Sequence, residues 1–136
     1  MSEKTEKRRV GDLGEDIAAR FLVKQGFDVI ERNYTKKWGE IDIVAQKDKK
    51  LYFIEVKSVS RSNIENVTHE TNDYRPEDNM HPWKLQRLSR TIQTYLLHKN
   101  TTEDQEWQVD LLVVYLDTEN KKAKVKVVKN IILWPI

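Results

Sequence analysis

Residues 39–57 read GEIDIVAQKDKKLYFIEVK, and this stretch decides the fold. Its two ends, 40–45 and 51–57, are rich in β-branched and aromatic residues, whereas residues 46–50 between them are polar. Runs of this kind, separated by a short polar segment, are typical of a β-hairpin. The stretch therefore predicts two paired antiparallel strands.

The register of this hairpin determines what its acidic residues face. If the turn centres on Asp48 and Lys49, Asp42 lies directly across from Glu55 on the same side. Like charges placed opposite each other destabilise a sheet, and a buried carboxylate without a partner costs more, so the pair favours a cation between them. Hard oxygen ligands favour Mg²⁺ or Mn²⁺. The alternative is a solvated outer face, which requires no burial of either carboxylate.

Lys57 follows Glu55 by two positions and therefore shares its face of the strand. A lysine there could stabilise phosphate charge or position an attacking water molecule. Together with Asp42, these residues suit metal-assisted cleavage of phosphodiesters.

Composition limits the chain to one modest domain. Of its 136 residues 38% are hydrophobic, so residues 1–136 are predicted to form a single core. Residues 1–9, MSEKTEKRR, are a predicted flexible N-terminus and lack the apolar stretch of a signal peptide or membrane span. Because the chain also has no cysteine, we expect a cytoplasmic protein without a membrane partner. ATP and zinc are not expected, since there is no Gly-rich phosphate loop and the histidines lack zinc-ligand spacing.

The formal net charge of +2 argues only weakly for nucleic acid, but the distribution of charge is more informative. Pro82 to Lys99 contains no acidic residue, and its apolar residues recur at helical spacing, which predicts an amphipathic helix. The face opposite the apolar stripe suits phosphate backbones. A helix that is merely solvated explains the basic face almost as well, unless the helix lies beside the acidic pair. That face carries Lys84, Arg87, Arg90 and His98, with Thr91 and Thr94 among them.

A first helix is predicted from about Asp12 to Gln25, with Gly26 as its stop. Glu15 lies at the edge of its apolar sector. This residue either reaches inward toward a metal site or keeps its carboxylate in water, and periodicity alone slightly favours water. The predicted apolar positions are Leu13, Ile17, Phe21 and Leu22.

Further strands are predicted at Phe27 to Tyr34, Val109 to Leu116 and Lys124 to Leu133, the second of them buried on both faces. Residues 58–80 show no period and are predicted to form a mobile loop. The resulting order is helix, three strands, helix, strands. It indicates an α/β fold with a mixed central sheet flanked by helices.

Trp38 stands beside Lys36 and Lys37, directly before the hairpin. The tryptophan could stack on an unpaired base while the two lysines hold phosphate. A tryptophan that packs over a turn is the more common case. These three residues join Lys84, Arg87 and Arg90 as candidates for nucleic-acid binding.

Several short motifs, in order and spacing, resemble the YraN-like family of predicted endonucleases. This family belongs to the PD-(D/E)XK, or restriction-endonuclease-like, superfamily and is similar to archaeal Holliday junction resolvases. The resemblance is dense in the first half and continues through the Lys84 helix and the strand that begins QVD at 108–110. The motifs are GDLGEDIA (11–18), QGF (25–27), ERN (31–33), WGEID (38–42) and FIEVK (53–57).

The resemblance implies a restriction-endonuclease-like α-β-β-β-α-β core and a Mg²⁺- or Mn²⁺-dependent endonuclease that acts on DNA, with branched or junction DNA as one option. It implies metal binding by Asp42, Glu55 and the main-chain carbonyl of Val56. It also implies catalysis by Lys57 and a supporting role for Glu15.

Two details of the motif remain open. Ile41 stands where the superfamily pattern has proline, although Gly-Glu-Ile-Asp is the form that the YraN-like group uses. Glu40 is either an additional ligand or a surface glutamate of its strand.

Three functional alternatives are compatible with the sequence. Besides the nuclease, the chain could be a non-catalytic nucleic-acid-binding module that retains the fold, or a protein-interaction domain that uses its apolar C-terminus. A homodimer would suit a four-way junction, whose two strands need symmetric cuts, but the sequence does not establish one.

Overall fold

The computed structural model describes residues 5–62, 64, 80–131 and 133. In these residues two helices flank one five-stranded mixed sheet, which confirms the predicted α/β class. Neither described helix is long and apolar enough to cross a membrane. The elements are α1 (Glu6–Lys24), β1 (Asp28–Lys36), β2 (Gly39–Lys47), β3 (Lys50–Ser60), α2 (Pro82–His98), β4 (Trp107–Asp117) and β5 (Lys122–Val128).

The strands lie side by side in chain order, from β1 to β5. All neighbours are antiparallel except β3 and β4, which run parallel. A parallel pair needs a long crossover connection, and α2 lies within this one. Residues 109–117 of β4 are buried throughout, as predicted for a strand covered on both faces.

The β2–β3 hairpin has the predicted register. Its turn centres on Asp48 and Lys49, whose φ angles of 50° and 67° are those of a turn that matches the twist of paired strands. Backbone pairing runs from this turn to Ile43 and Ile54 and stops one position before Asp42. The end of the ladder leaves Asp42 at the point where the two strands part.

Helix α1 begins at Glu6, earlier than the predicted start near Asp12, so residues 6–9 are helical and not part of a flexible N-terminus. The hydroxyl of Thr5 caps the helix by accepting a hydrogen bond from the Arg8 amide. The apolar period that marked the helix in the sequence is absent from this charged first turn. Gly26, with φ of 92°, ends the helix as predicted.

The face that α1 turns to the sheet carries two small residues before Leu22. Gly14 and Ala18 are buried, whereas Leu13, a predicted core position, is exposed. A Cβ atom on Gly14 would lie only 1.8 Å from the Ser58 Oγ atom, so the glycine allows the helix to touch β3. This close contact fixes the rotation of α1 and turns Leu13 outward.

The two helices cover opposite faces of the sheet. Consecutive strand residues point to opposite faces, and Phe53 packs with Ile92 of α2 while Ile54 packs with Ala18 and Leu22 of α1. A core therefore lies on each side of the sheet.

Strand β3 continues to Ser60, so residues 58–60 of the predicted loop are strand. They extend the parallel ladder, with Ser60 opposite Leu116 of β4. Such pairing with a distant strand leaves no local periodicity in the sequence. Residues 63 and 65–79 of the predicted loop lie outside the described residues, while Ile64 is buried against β4.

The predicted last strand, 124–133, is shifted: β5 spans Lys122–Val128. Beyond it, Ile131 and Leu133 pack against the core on the α2 side. The Ile131 amide donates a hydrogen bond to the Val109 carbonyl at 2.8 Å. The described part of the apolar C-terminus thus completes the core, as the sequence favoured.

Candidate metal centre and basic face

Asp42 interrupts the regular alternation of β2. Ile41 packs in the core on the α2 side and Ile43 in the core on the α1 side, although residues two apart in a regular strand share a face. The Asp42 carboxylate is directed across the split to β3, where its Oδ2 atom accepts a hydrogen bond from the Val56 amide at 2.8 Å. Only 8% of Asp42 is exposed. A carboxylate is thereby held in a buried position by the backbone.

The environment of Asp42 disfavours its negative charge. Burial, and then the neighbouring charge of Glu55, raise the pKa of Asp42 to about 8, although the Val56 amide opposes the shift. The charges of Glu15 and Glu40 act in the same direction. Asp42 and Glu55 are thus close enough to repel each other, as the hairpin register predicted. Such a pair favours either a bound proton or a bound cation.

Glu15 reaches inward from α1, not into open water as its periodicity slightly favoured. Burial raises the pKa of Glu15, and Arg32 of β1 opposes this shift. Arg32 lies 3.5 Å from Glu15 Oε1 and 2.8 Å from Asp16 Oδ1. This ion-pair network holds the middle of α1 against β1 beside the acidic pair.

The acidic side chains do not all converge on one point. Among the residues that the structure describes, no group of three or more histidine, aspartate or glutamate side chains is arranged to hold a metal ion. Asp42 and Glu55 remain as carboxylate donors, with the main-chain carbonyl of Val56 as the implied third. Glu40 is exposed, with its Oε2 atom 3.4 Å from the Thr35 hydroxyl. The mutually repelling pair, of which Asp42 is buried and Glu55 partly buried, fits a small hard cation, because such a cation would offset both charges.

Helix α2 contacts this acidic pair through Lys84. Its Nζ atom lies 2.9 Å from Glu55 Oε1, and the Glu55 side chain is only 13% exposed. The basic helix therefore lies beside the carboxylates, which is the condition that favours a functional basic face over a merely solvated one. The sequence could not place this contact, because α2 and β3 are joined by the long segment after Ser60.

Lys57 is exposed near the end of β3 and forms no ion pair with another described residue. It opens into a groove of about 520 Å³ between the start of α1 and the end of β3. The groove also exposes basic residues of α1 that the sequence reading missed, although their charge cluster was visible. Its lining includes Lys7, Arg8, Glu15, Asp42, Val56 and Lys57.

Trp38 contacts two arginines of the basic face, and one face of its ring is not free to stack on a base. The Arg90 guanidinium lies 4.3 Å from the centre of the Trp38 ring, and Arg87 Nε donates a hydrogen bond to the Trp38 carbonyl at 2.8 Å. One face of the ring is therefore covered, as in the packing alternative. Lys36 lies over the Tyr34 ring at 5.1 Å, and Lys37 is exposed.

Thr91 was placed on the outward basic face, and this prediction is wrong. Thr91 is fully buried, and its hydroxyl donates to the Arg87 carbonyl at 2.8 Å. Because the hydroxyl is satisfied within its own helix, it can be buried at little cost. A Cβ atom on Gly39 would lie 2.8 Å from the Thr91 Oγ1 atom, so this glycine allows α2 to approach β2 closely.

The raised pKa of Asp42 predicts a pH-dependent stability. Between its ordinary value of 3.8 and about 8 the folded protein keeps a proton that the unfolded chain releases, so stability falls as pH rises through this window. We expect metal-free protein to lose at least about 2 kcal/mol between roughly pH 5 and pH 9. Urea unfolding in EDTA across this range measures the effect. Asp42→Asn should remove most of the slope, and parallel curves for both proteins would contradict the assignment.

Comparison with known proteins places this chain in a family. Residues 14–114 match the model of the uncharacterised protein family UPF0102. The chain is 40% identical over 107 residues to a UPF0102 protein of Campylobacter jejuni subsp. jejuni, which covers 79% of this chain and 84% of that protein. It is 37% identical over 121 residues to one of Campylobacter fetus subsp. fetus, with coverages of 89% and 91%. For one of Sulfurovum sp. the identity is 42% over 105 residues, with coverages of 76% and 81%. The chain therefore belongs to the UPF0102 family, the YraN-like group that its motifs resemble.

Proposed function

We propose that this protein is a Mg²⁺- or Mn²⁺-dependent endonuclease of the PD-(D/E)XK superfamily that hydrolyses phosphodiester bonds in DNA. The observation that carries the proposal is the buried carboxylate of Asp42, held by the Val56 amide beside Glu55. Two neighbouring carboxylates disfavour each other's charge, and the Lys84 ammonium contacts only Glu55 of the two. A cation site explains the pair.

Each residue would have a distinct role. Asp42 and Glu55, with the Val56 carbonyl, would hold the cation, which supplies polarisation of the scissile phosphate and a lower pKa of the attacking water. Lys57 is exposed in the same groove as Asp42, where its ammonium would stabilise charge on the phosphate. Glu15, at the edge of this groove, would support the site through its charge.

DNA as the substrate is supported by the basic residues that border the carboxylates. Lys7 and Arg8 line the groove on the α1 side together with the acidic Glu6 and Asp12, while on the α2 side Lys84 contacts Glu55 and Arg87 and Arg90 follow it along the helix. Phosphodiester backbones bind such paired basic borders through charge neutralisation. Branched or junction DNA is the more specific form of the proposal, and a homodimer would then supply two symmetric cuts.

A second candidate is the non-catalytic nucleic-acid-binding module. The ion pair between Lys84 and Glu55 favours it, because a lysine already neutralises one of the two carboxylates. In that case the basic face would bind backbone phosphates and no cleavage would occur. Both candidates bind DNA, so DNA cleavage or metal binding, and not DNA binding, separates them.

The decisive experiment compares wild-type protein with Lys57→Ala on labelled four-way junction, flap, single-stranded and linear duplex DNA, with Mg²⁺ or Mn²⁺. We expect cleavage by wild type and a loss of at least about a hundredfold in Lys57→Ala, since a group that stabilises developing charge contributes on this scale. DNA binding should persist in the variant. Equal cutting by both preparations would indicate contamination, and binding without cutting by either would support the non-catalytic module.

A further inference from the structure

Trp83 lies at the start of α2 with 55% of its surface exposed. Arg87 follows one helical turn later, and its guanidinium lies 5.4 Å from the centre of the Trp83 ring. The His81 ring is almost parallel to that of Trp83, with 6.4 Å between their centres. We call Trp83, Arg87 and Arg90 the Trp83 row, because they lie along one stripe of the helix.

The exposure of Trp83 is not explained by the core. Among the described residues it is the only aromatic one in the set of large hydrophobic side chains that are strongly exposed. The core on the α2 side is formed without it, by residues such as Leu88, Ile92 and Tyr95. An exposed indole beside an arginine guanidinium, on a helix without acidic residues, has the chemistry that binds a nucleotide chain.

The Trp83 row is held in a fixed position relative to the acidic pair. Lys84, the next residue in the chain, contacts Glu55 at 2.9 Å. Arg87 is tied to the turn between β1 and β2 by its hydrogen bond to the Trp38 carbonyl, and Arg90 lies against the Trp38 ring. These contacts leave the two arginines ordered beside the exposed indole. A strand of nucleic acid that crosses the row would thus pass close to the Asp42 and Glu55 site.

We infer that the Trp83 row binds unpaired nucleotides, with a base stacked on Trp83 and the flanking phosphates on Arg87 and Arg90. The faces of bases in a regular duplex are already covered by their neighbours, so an exposed indole can stack only on a base that is unpaired or turned out. A regular duplex would bind only through its phosphates on Arg87 and Arg90, without stacking on Trp83. The inference rests on the proposed nuclease function, and it narrows the substrate to nucleic acid with an unpaired segment beside the cleavage point.

The test measures binding in EDTA, so that no metal-dependent step contributes. A labelled oligo-dT of about ten nucleotides and a duplex of the same length are titrated with wild type, Trp83→Ala, Trp83→Phe and Leu97→Ala. Leu97 is the matched control, because it lies on the same helix and is 81% exposed. Thermal unfolding of each variant checks that it is folded.

We expect Trp83→Ala to weaken oligo-dT binding about tenfold, since stacking on one aromatic side chain contributes on this scale. Trp83→Phe should retain most of the affinity, Leu97→Ala should match wild type, and duplex binding should change less than about twofold. Unchanged oligo-dT binding in folded Trp83→Ala would overturn the inference. Equal losses on oligo-dT and duplex would also overturn it, because they would indicate a general electrostatic effect.

Two further arms identify the ligand and separate this inference from the nuclease proposal. Replacing oligo-dT with oligo-U shows whether DNA or RNA binds more tightly through the same stacking. Trp83-dependent binding of poly-glutamate would instead indicate an acidic protein partner and refute the inference. If cleavage is absent but Trp83-dependent binding of oligo-dT persists, the nuclease proposal fails while the nucleotide site stands. If wild type cuts duplex DNA and Trp83→Ala binds oligo-dT normally, the nucleotide-site inference fails while the nuclease proposal stands.

Discussion

Glu55→Gln will reduce Mg²⁺-dependent DNA cleavage by about a thousandfold or more while the protein remains folded. Glutamine keeps the size of the side chain but cannot supply the negative charge that, with Asp42, would hold the cation. The change also leaves Lys84 without its partner. Because the side chain of that lysine is nearly half exposed, the effect on stability should stay within about 1 kcal/mol. Single-turnover cleavage of a labelled substrate, alongside thermal unfolding, measures both effects.

Glu31→Gln is the matched control for this change. Glu31 is also a strand glutamate that pairs with a lysine near α2, since its Oε1 atom lies 3.4 Å from Lys99 Nζ. Glu31 is not among the groups that mainly shift the pKa of Asp42, so its replacement should leave cleavage unchanged. If Glu55→Gln cut within about tenfold of wild type, Glu55 would not be a ligand of an essential metal.

Gly14→Ala will destabilise the protein by about 2 kcal/mol or more. The added Cβ atom would lie 1.8 Å from the Oγ atom and 2.9 Å from the Cβ atom of Ser58. The hydroxyl can rotate away, but the Cβ atom moves only with the backbone, so α1 or β3 must shift. Urea unfolding measures the loss. Because Glu15 is the next residue, a shift of α1 would also move its carboxylate relative to Asp42 and Glu55.

Gly11→Ala is the control for the effect of helix propensity. No atom lies within 4 Å of a Cβ atom at this position of the same helix. Alanine there should leave stability unchanged or raise it by up to about 1 kcal/mol. In a Gly14→Ala background, Ser58→Gly should recover part of the loss. A Gly14→Ala protein as stable as Gly11→Ala would mean that α1 does not rest on β3 at this point.

Local patterns were sufficient for much of the fold and for the acidic pair. The alternating strands, the polar turn at Asp48 and Lys49 and the helical period after Pro82 each lie within one short stretch. The hairpin is also a local structure, so its register and the closeness of Asp42 to Glu55 followed from the turn alone. For the same reason, the stop at Gly26 was visible in the sequence.

Features that depend on distant contacts could not be predicted in this way. The rotation of α1 that exposes Leu13 depends on contact between Gly14 and Ser58, and the burial of Thr91 depends on contact with Gly39. The extension of β3 comes from its pairing with β4. The contact of Lys84 with Glu55 likewise joins elements that are far apart in the chain, and it is the contact that places the basic helix beside the carboxylates.

The exposed position of Trp83 was missed for a different reason. Its neighbours Pro82 and Lys84 mark it only as part of a helix start, and the helical period does not show that the core is complete without it. The exposed surface of a residue depends on everything that packs around it. Only the folded structure shows that the Trp83 indole stays exposed beside the basic residues of α2.

The most direct test of the central claim is a calorimetric titration of Mn²⁺ into metal-free protein at a pH of about 8, where Asp42 can release its proton. Wild type should bind Mn²⁺ in a saturable manner. Asp42→Asn should show no such binding, because asparagine keeps the hydrogen bond from Val56 but loses the charge. Unchanged Mn²⁺ binding in Asp42→Asn would contradict the assignment of Asp42 and Glu55 as a metal centre.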